Sequence, residues 1–229
     1  MNNAIVLLSG GLDSVVSLAI IKQYCENILA LTFNYGQKSF KYELNAAEKI
    51  ARHYNIDHKI VNLDWLNEIS QSSLNTDEDI PHLSKEDLDN KEISTISSSS
   101  VWVPNRNALF INIAACYADA MNYDMIVFGA NKEEAETFKD NSISFVNSIN
   151  STLSNSTNYN VKVIAPFIYK TKKEIVEDGI RLNVPFNLIY SCYSGEQIHC
   201  GHCESCMRLR RALEQNNRND IIIDIFRKI

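Results

Sequence analysis

Ala4-Ile5-Val6-Leu7-Leu8-Ser9-Gly10-Gly11-Leu12-Asp13-Ser14 is the stretch on which the fold turns. Ala4 to Leu8 is a short unbroken apolar run, as expected of a strand buried on both faces, and Ser9-Gly10-Gly11 ends it. Over residues 12–24 the apolar side chains Leu12, Val15, Val16, Ala19 and Ile20 recur at helical spacing. The unit is therefore strand, glycine turn, helix. Two glycines let the backbone turn its N–H groups toward one point, and the helix N-terminus adds partial positive charge, so phosphate is the natural occupant. The turn is not a Walker A loop, because no Lys follows the second glycine, and it is not G-x-G-x-x-G. Ser9 and Ser14 can donate hydroxyls to phosphate oxygens, and Asp13 can hold Mg2+ against them. The plain alternative is a glycine turn with an N-cap serine.

Outward from this unit the pattern repeats. Residues 28–33 read as a strand, 41–54 as a helix, 58–63 as a strand, 107–121 as a helix, 125–129 as a strand and 161–164 as the last strand. Such alternation implies an α/β fold: a parallel sheet with helices on both faces, joined by right-handed crossovers. Thr171 followed by Glu174, ahead of Ile175 and Val176, is a capping box that opens a helix to about Leu182. Between these elements, residues 70–103 are polar, with Thr76-Asp77-Glu78-Asp79 and Ser97-Ser98-Ser99-Ser100, and read as a lid or insertion loop. Residues 147–160 are rich in Asn and Ser; their Asn-x-Ser/Thr triplets resemble glycosylation sites that a cytoplasmic chain would not use. A basic helix over 207–213 and the tail Ile221-Ile222-Ile223-Asp224-Ile225-Phe226, an edge strand or a partner contact, close the chain.

A length of 229 residues allows one full domain and an elaboration: an α/β domain over 1–185 and a small C-terminal segment over 186–229. With 45% hydrophobic and 22% charged residues the chain can bury a sizeable core, which argues against disorder. Lys and Arg number 22 against 28 Asp and Glu, a net charge of −6, so a bulk nucleic-acid binder is disfavoured. No basic region precedes an apolar stretch at the N-terminus, and no run approaches the roughly 20 apolar residues needed to span a bilayer. The expectation is a cytoplasmic protein with neither nucleic acid nor membrane as partner.

Of the six cysteines, Cys192, Cys200, Cys203 and Cys206 form C-x7-C-x2-C-x2-C, which in a cytosolic chain favours metal over disulfides. Four thiolates close a tetrahedral, structural Zn2+ site. An iron-sulfur cluster and a ligand set in which His199 or His202 replaces a cysteine are the alternatives. Cys25 and Cys116 lie in apolar stretches read as helical and are expected in the core.

Ser9 to Ser14 resembles the pyrophosphate loop of the ATP pyrophosphatases, which adenylate a substrate oxygen and release pyrophosphate. Further blocks, in order, are Phe33-Asn34-Tyr35-Gly36-Gln37 with Glu43, Val103-Pro104-Asn105-Arg106-Asn107, Gly129-Ala130-Asn131, Thr171-Lys172-Lys173-Glu174-Ile175, and Ser191-Cys192-Tyr193 with the cysteine cluster. Together they resemble the 7-cyano-7-deazaguanine synthase family. The resemblance implies an adenine nucleotide alpha hydrolase-like (Rossmann-like) parallel-sheet domain with a small C-terminal zinc-binding segment. It further implies ATP-dependent conversion of 7-carboxy-7-deazaguanine and ammonia to the 7-cyano product in queuosine biosynthesis, through adenylated acid and amide intermediates, by a homodimer using ATP, Mg2+ and Zn2+. On this reading Leu8, Ser9, Gly10, Gly11, Leu12, Asp13, Ser14, Val15, Val16, Ser17 and Leu18 bind the nucleotide. Asp13, Ser14, Arg106 and Lys172 are catalytic, and Arg106 or Lys172 neutralises phosphate or substrate carboxylate. Tyr35 stacks on the purine-like ring, Gln37 hydrogen-bonds it, and Asn131, Glu133 and Glu136 meet the substrate. The plainer readings are a surface ion pair for Arg106, a helix-start charge for Lys172, a packed turn residue for Tyr35 and a solvated acidic face for Glu133 and Glu136. Two departures from the family pattern stand out. Asn105 occupies a position that is usually Gly, though Asn tolerates a left-handed backbone, and residues 132–140 differ from the commoner form. The rival classes are another amidating or tRNA-thiolating enzyme with the same loop, and a non-catalytic nucleotide-binding zinc module.

Overall fold

The computed structural model describes residues 2–226. Among them, parallel strands β1 (Asn2–Leu7), β2 (Cys25–Asn34), β3 (Asp57–Asn62), β4 (Met125–Val127) and β5 (Lys162–Ile164) form one sheet in the order β3-β2-β1-β4-β5. Helices α1 (Leu12–Ile21), α2 (Phe40–Tyr54), α3 (Asp64–Ile69), α4 (Lys91–Ser100), α5 (Arg106–Met121), α6 (Lys132–Ala135), α7 (Ile143–Ser156), α8 (Lys172–Arg181), α9 (Glu204–Gln215) and α10 (Asn219–Ile225) complete the chain. The strand order reverses beside β1, so β1 and β4 diverge in their connections and leave a crevice beyond their C-terminal ends.

Successive side chains of a strand point to opposite faces, and β1 accordingly feeds two cores. Ala4, Val6 and Leu8 pack in one core with Val15, Val16 and Leu18 of α1, Ala46, Ala47 and Ile50 of α2 and Ile175 and Val176 of α8. Ile5 and Leu7 pack in the opposite core with Ile111, Ala114 and Ala118 of α5 and Val146, Ile149 and Leu153 of α7. The apolar run read as buried on both faces is so. Helix α8 opens on the expected capping box, with Thr171 and Glu174 each bonded to the other's backbone N–H.

Several expectations need correction. The polar segment 70–103 is not all loop: it contains a 3-10 turn (Asp87–Asp89) and α4, whose first N–H groups at Glu92 and Ile93 donate to the Asn90 side chain. The Asn- and Ser-rich stretch is largely α7, capped by Ser142, with Val146, Ile149 and Leu153 inward and hydroxyls such as Ser148 and Thr152 donating to carbonyls one turn back. Asn150 of α7 bonds both the N–H and the carbonyl of Val163, closing the outer edge of β5. The tail is helix α10, not a strand: Ile221 and Ile225, four apart, turn into the core while Ile223 is 68% exposed. Cys25 begins a strand and is buried, but Cys116, on α5, is exposed. No helix of the described residues is long and apolar enough to cross a membrane.

Candidate active site and metal centre

The crevice is a cavity lined at one end by the glycine turn and at the other by aromatic side chains. Leu8, Ser9, Gly11, Leu12, Asp13 and Ser14 face it. Gly10 holds φ at +81°, the left-handed region, and a Cβ there would lie 2.7 Å from Cβ of Ala46 on α2. The Gly10 carbonyl accepts from the Tyr190 N–H (2.9 Å), and the Leu12 N–H donates to Ser191 Oγ (3.3 Å). The segment that carries Cys192 therefore buttresses the turn from outside. Val15, Val16 and Leu18 are packed in the core and do not face the cavity; Ser17 Oγ is buried without a partner.

Asp13 is the electrostatic centre of this end. Its Oδ2 pairs with the Lys172 ammonium and accepts from Asn131 Nδ2 (3.4 Å), while Oδ1 is buried with no hydrogen-bond partner. Burial pushes its carboxyl up to about 6, Lys172 resisting and Glu134 adding to the rise. Lys172 also pairs with Glu134 (2.7 Å); burial opposes its charge, but the two carboxylates outweigh burial and hold it above its ordinary value. Asn131 does not face the cavity. It is fully buried and caps α6, accepting from the Glu134 N–H.

Helix α6 sends its adjacent glutamates to different neighbours. Glu134 lines the cavity. Glu133 faces away: it accepts from the Lys172 N–H (2.7 Å) and pairs with Arg208 (3.2 Å) and Arg211 (3.1 Å) of α9. Glu136 is exposed and lines a separate cavity beside α4 and α9. Among neighbouring glutamates it is thus Glu134, singled out by nothing in the sequence, that reaches the site.

At the other end Phe33 and Phe110 stack (centroids 4.0 Å apart), and Tyr35, Tyr193 and Arg106 complete the wall. Arg106 Nη1 donates to Tyr35 Oη (3.0 Å). Asn105 holds φ +53°, the left-handed conformation expected of it, and starts α5 so that Arg106 turns inward. Gln37 is 4% exposed and spends its amide on the turn, accepting from the Tyr35 N–H and donating to the Phe33 carbonyl and Glu43. Burial raises the Glu43 carboxyl against the bonds from Ser39 and Gln37. The sequence alone does not single out Phe110, Ser191 and Tyr193 as site residues. Ser191 and Tyr193 flank Cys192, but nothing in their spacing shows which wall they reach.

The four sulfurs of Cys192, Cys200, Cys203 and Cys206 are buried and all lie within 4.8 Å of one another, a set able to hold a metal ion. Contact with the other three thiols holds Cys192 below its ordinary value, whereas Cys203 and Cys206 are held above theirs by the same neighbours. His199 is not part of the set: its Nε2 accepts from the Ser191 N–H (2.9 Å) and its Nδ1–H meets the Ile225 carbonyl (3.1 Å). His202 is likewise outside it and lies against His82 (ring centroids 3.8 Å).

The family model described as "Queuosine biosynthesis protein QueC" matches residues 3–217. The chain belongs to the QueC family. QueC relatives similar to it include proteins named 7-cyano-7-deazaguanine synthase from Methanobrevibacter smithii, 47% identical over 92% of both chains, and Pelotomaculum thermopropionicum, 48% identical over 91% of this chain and 95% of that one. A third, from Methanosarcina mazei, is 44% identical over 96% and 97%. Among solved structures, the U34-tRNA thiolase NcsA from Methanococcus maripaludis, with its [4Fe-4S] cluster, is similar at a TM-score of 0.52 and 18% identity, over 98% of this chain and 71% of that one. NMN synthetase from Francisella tularensis is similar at 0.50 and 17%, over 95% and 84%. These two likenesses bear on the fold alone; QueC membership sets the thiolase alternative aside.

Proposed function

We propose that this QueC chain converts 7-carboxy-7-deazaguanine and ammonia, with ATP, to 7-cyano-7-deazaguanine. The observation that carries the reading is the single cavity running from the glycine turn, with its orphaned carboxylate oxygen, to an aromatic wall suited to a planar heterocycle. A buried unpartnered acceptor is costly, and Asp13 Oδ1 beside a phosphate turn suits an Mg2+ that ATP would bring. Asp13, Glu134 and Lys172 together carry one net negative charge, which favours a cation there. ATP supplies a leaving group on the carboxylate oxygen, and on the amide oxygen in a second round. The chain's own residues bind and orient: Ser9, Ser14 and the N–H groups at the start of α1 face the phosphates, Lys172 fixes Asp13, and Tyr35 with Phe33 and Phe110 flanks the ring.

Zinc suits the cysteine set. Thiolates about 2.3 Å from a tetrahedral zinc lie about 3.8 Å apart, and Cys200 Sγ and Cys206 Sγ are separated by 3.8 Å. A four-iron cluster, in which each thiolate binds a different iron, would spread the sulfurs wider. The same reading carries the expectation of a cytoplasmic homodimer acting on small molecules, with neither nucleic acid nor membrane as partner. The test is mass spectrometry of products after incubation with ATP, Mg2+, ammonium and a panel of carboxylated purines. Nitrile from the deazaguanine acid, with about two ATP consumed per nitrile, is the expected result. Amide accumulating as the final product would overturn the reading.

A further inference from the structure

Positive charge is divided unevenly between the two ends of the cavity. At the turn, Lys172 already stands between Asp13 and Glu134 and has no charge left for a substrate anion. At the aromatic end, Arg106 donates from Nη1 to Tyr35 Oη (3.0 Å) and from Nε to Asn107 Oδ1 (3.4 Å), and its guanidinium carbon lies 5.5 Å from the Tyr35 ring centroid. Both partners are neutral. Among the described residues no carboxylate sits at ion-pairing distance from Arg106; Asp140 acts on it only from farther away. A guanidinium has five N–H donors, and these bonds use two. Burial opposes its charge, while the hydrogen bond to Tyr35 and the more distant Asp140 carboxylate favour it. A recessed cation with neutral partners is incomplete until an anion meets it.

Resting on the nitrile-forming reading above, we propose that Arg106 distinguishes the two substrates that use this site in succession, pairing with the carboxylate of the heteroaryl acid and not with the neutral carboxamide made from it. A carboxylate presents only acceptors to the guanidinium fork. A carboxamide presents one acceptor oxygen and an NH2 whose donors face the donors of Arg106. The residue therefore selects the acid for entry and relaxes its hold once the carbon has been amidated. This separates the roles of the two cations: Lys172 serves the turn and Arg106 serves the substrate.

The experiment compares kcat/KM for the acid (with ammonium) and for the carboxamide in the unmodified protein, Arg106→Gln and Arg106→Lys, at saturating ATP and Mg2+. The acid-to-amide ratio should fall by about 10- to 100-fold in Arg106→Gln, the range for losing a hydrogen-bonded charge partner. Arg106→Lys, which keeps the charge but not the fork, should recover part of it. Both substrates need ATP, so an equal loss on the two would assign Arg106 to a nucleotide phosphate and overturn the proposal, as would an unchanged ratio. A second measurement needs no variant to fold: with a non-hydrolysable ATP analogue, the unmodified protein should bind the acid at least about tenfold more tightly than the amide, and equal affinities would overturn the assignment. Failure of the unmodified protein to convert either compound would instead refute the nitrile-forming reading, and the Arg106 proposal with it.

Discussion

Gly10→Ala isolates the contact on which the phosphate turn depends. The new Cβ would lie 2.7 Å from Cβ of Ala46, 3.0 Å from the Glu43 carbonyl and 3.2 Å from the Ala47 nitrogen, in a backbone at φ +81°. Left-handed backbone costs an L-residue about 1–2 kcal/mol, and overpacking a filled core adds about 1–3 kcal/mol. Together that is roughly 2–5 kcal/mol, a large share of the 5–15 kcal/mol by which domains are stable. Because α2 carries both Ala46 and Glu43, relief by moving the helix also shifts the carboxylate that bonds Gln37 and Ser39, so turnover should fall as well. The assay is denaturant unfolding of the unmodified protein, Gly10→Ala, Ala46→Gly and the double variant. Removing Cβ of Ala46 takes away the nearest obstruction, at about 1 kcal/mol of helix propensity, so the double variant should be more stable than the sum of the singles by about 1–3 kcal/mol. Additivity within about 0.5 kcal/mol would refute the clash.

Metal analysis should find about one zinc per chain; Cys203→Ser should lose it, lower stability and weaken ATP binding through Tyr190 and Ser191, whereas iron with acid-labile sulfide would contradict the zinc reading. Asn105→Val should cost about 1–2 kcal/mol in thermal or chemical unfolding, and Asn105→Gly close to nothing; equal stabilities for the two would contradict the left-handed cap. Burial holds His58 below its ordinary 6.5, so the unfolded chain takes up this proton first as pH falls. Its contribution is intact above about 6.5 and is lost as pH drops through that value. His58→Gln should flatten this part of a stability curve measured from pH 8 to 5 (approximate limits); an unaltered slope would refute it.

The alternation of apolar strands and amphipathic helices was legible because each residue from Ala4 to Leu7 of β1 meets a core on one face or the other, and buried runs leave a plain hydrophobic record. Helices α4 and α7 were obscure for the opposite reason. Their Ser, Thr and Asn side chains satisfy backbone carbonyls one turn back, so a composition typical of loops is compatible with a helix once a few apolar residues find a core. In the site, Asp13, Tyr35, Arg106 and Lys172 were legible from the turn and from their blocks. Only the first turn of α1 faces the cavity, since from Val15 onward the N–H groups are taken by carbonyls such as that of Gly11 (3.0 Å). Which of Glu133 and Glu134 faces inward depends on the rotational setting of a four-residue helix, fixed by the Asn131 cap and by arginines some 75 positions away in sequence.

That short helix also bears on how the family can vary. Successive helical residues point about 100° apart, so one residue gained or lost within α6 would carry one glutamate into the other's place and leave its own place without a carboxylate. A substitution at Glu133 or Glu134 removes one of these roles, whereas a change of length disturbs both at once. The number of residues over 131–136 is therefore tied to both carboxylate roles, and the letter at Glu133 or Glu134 to one of them.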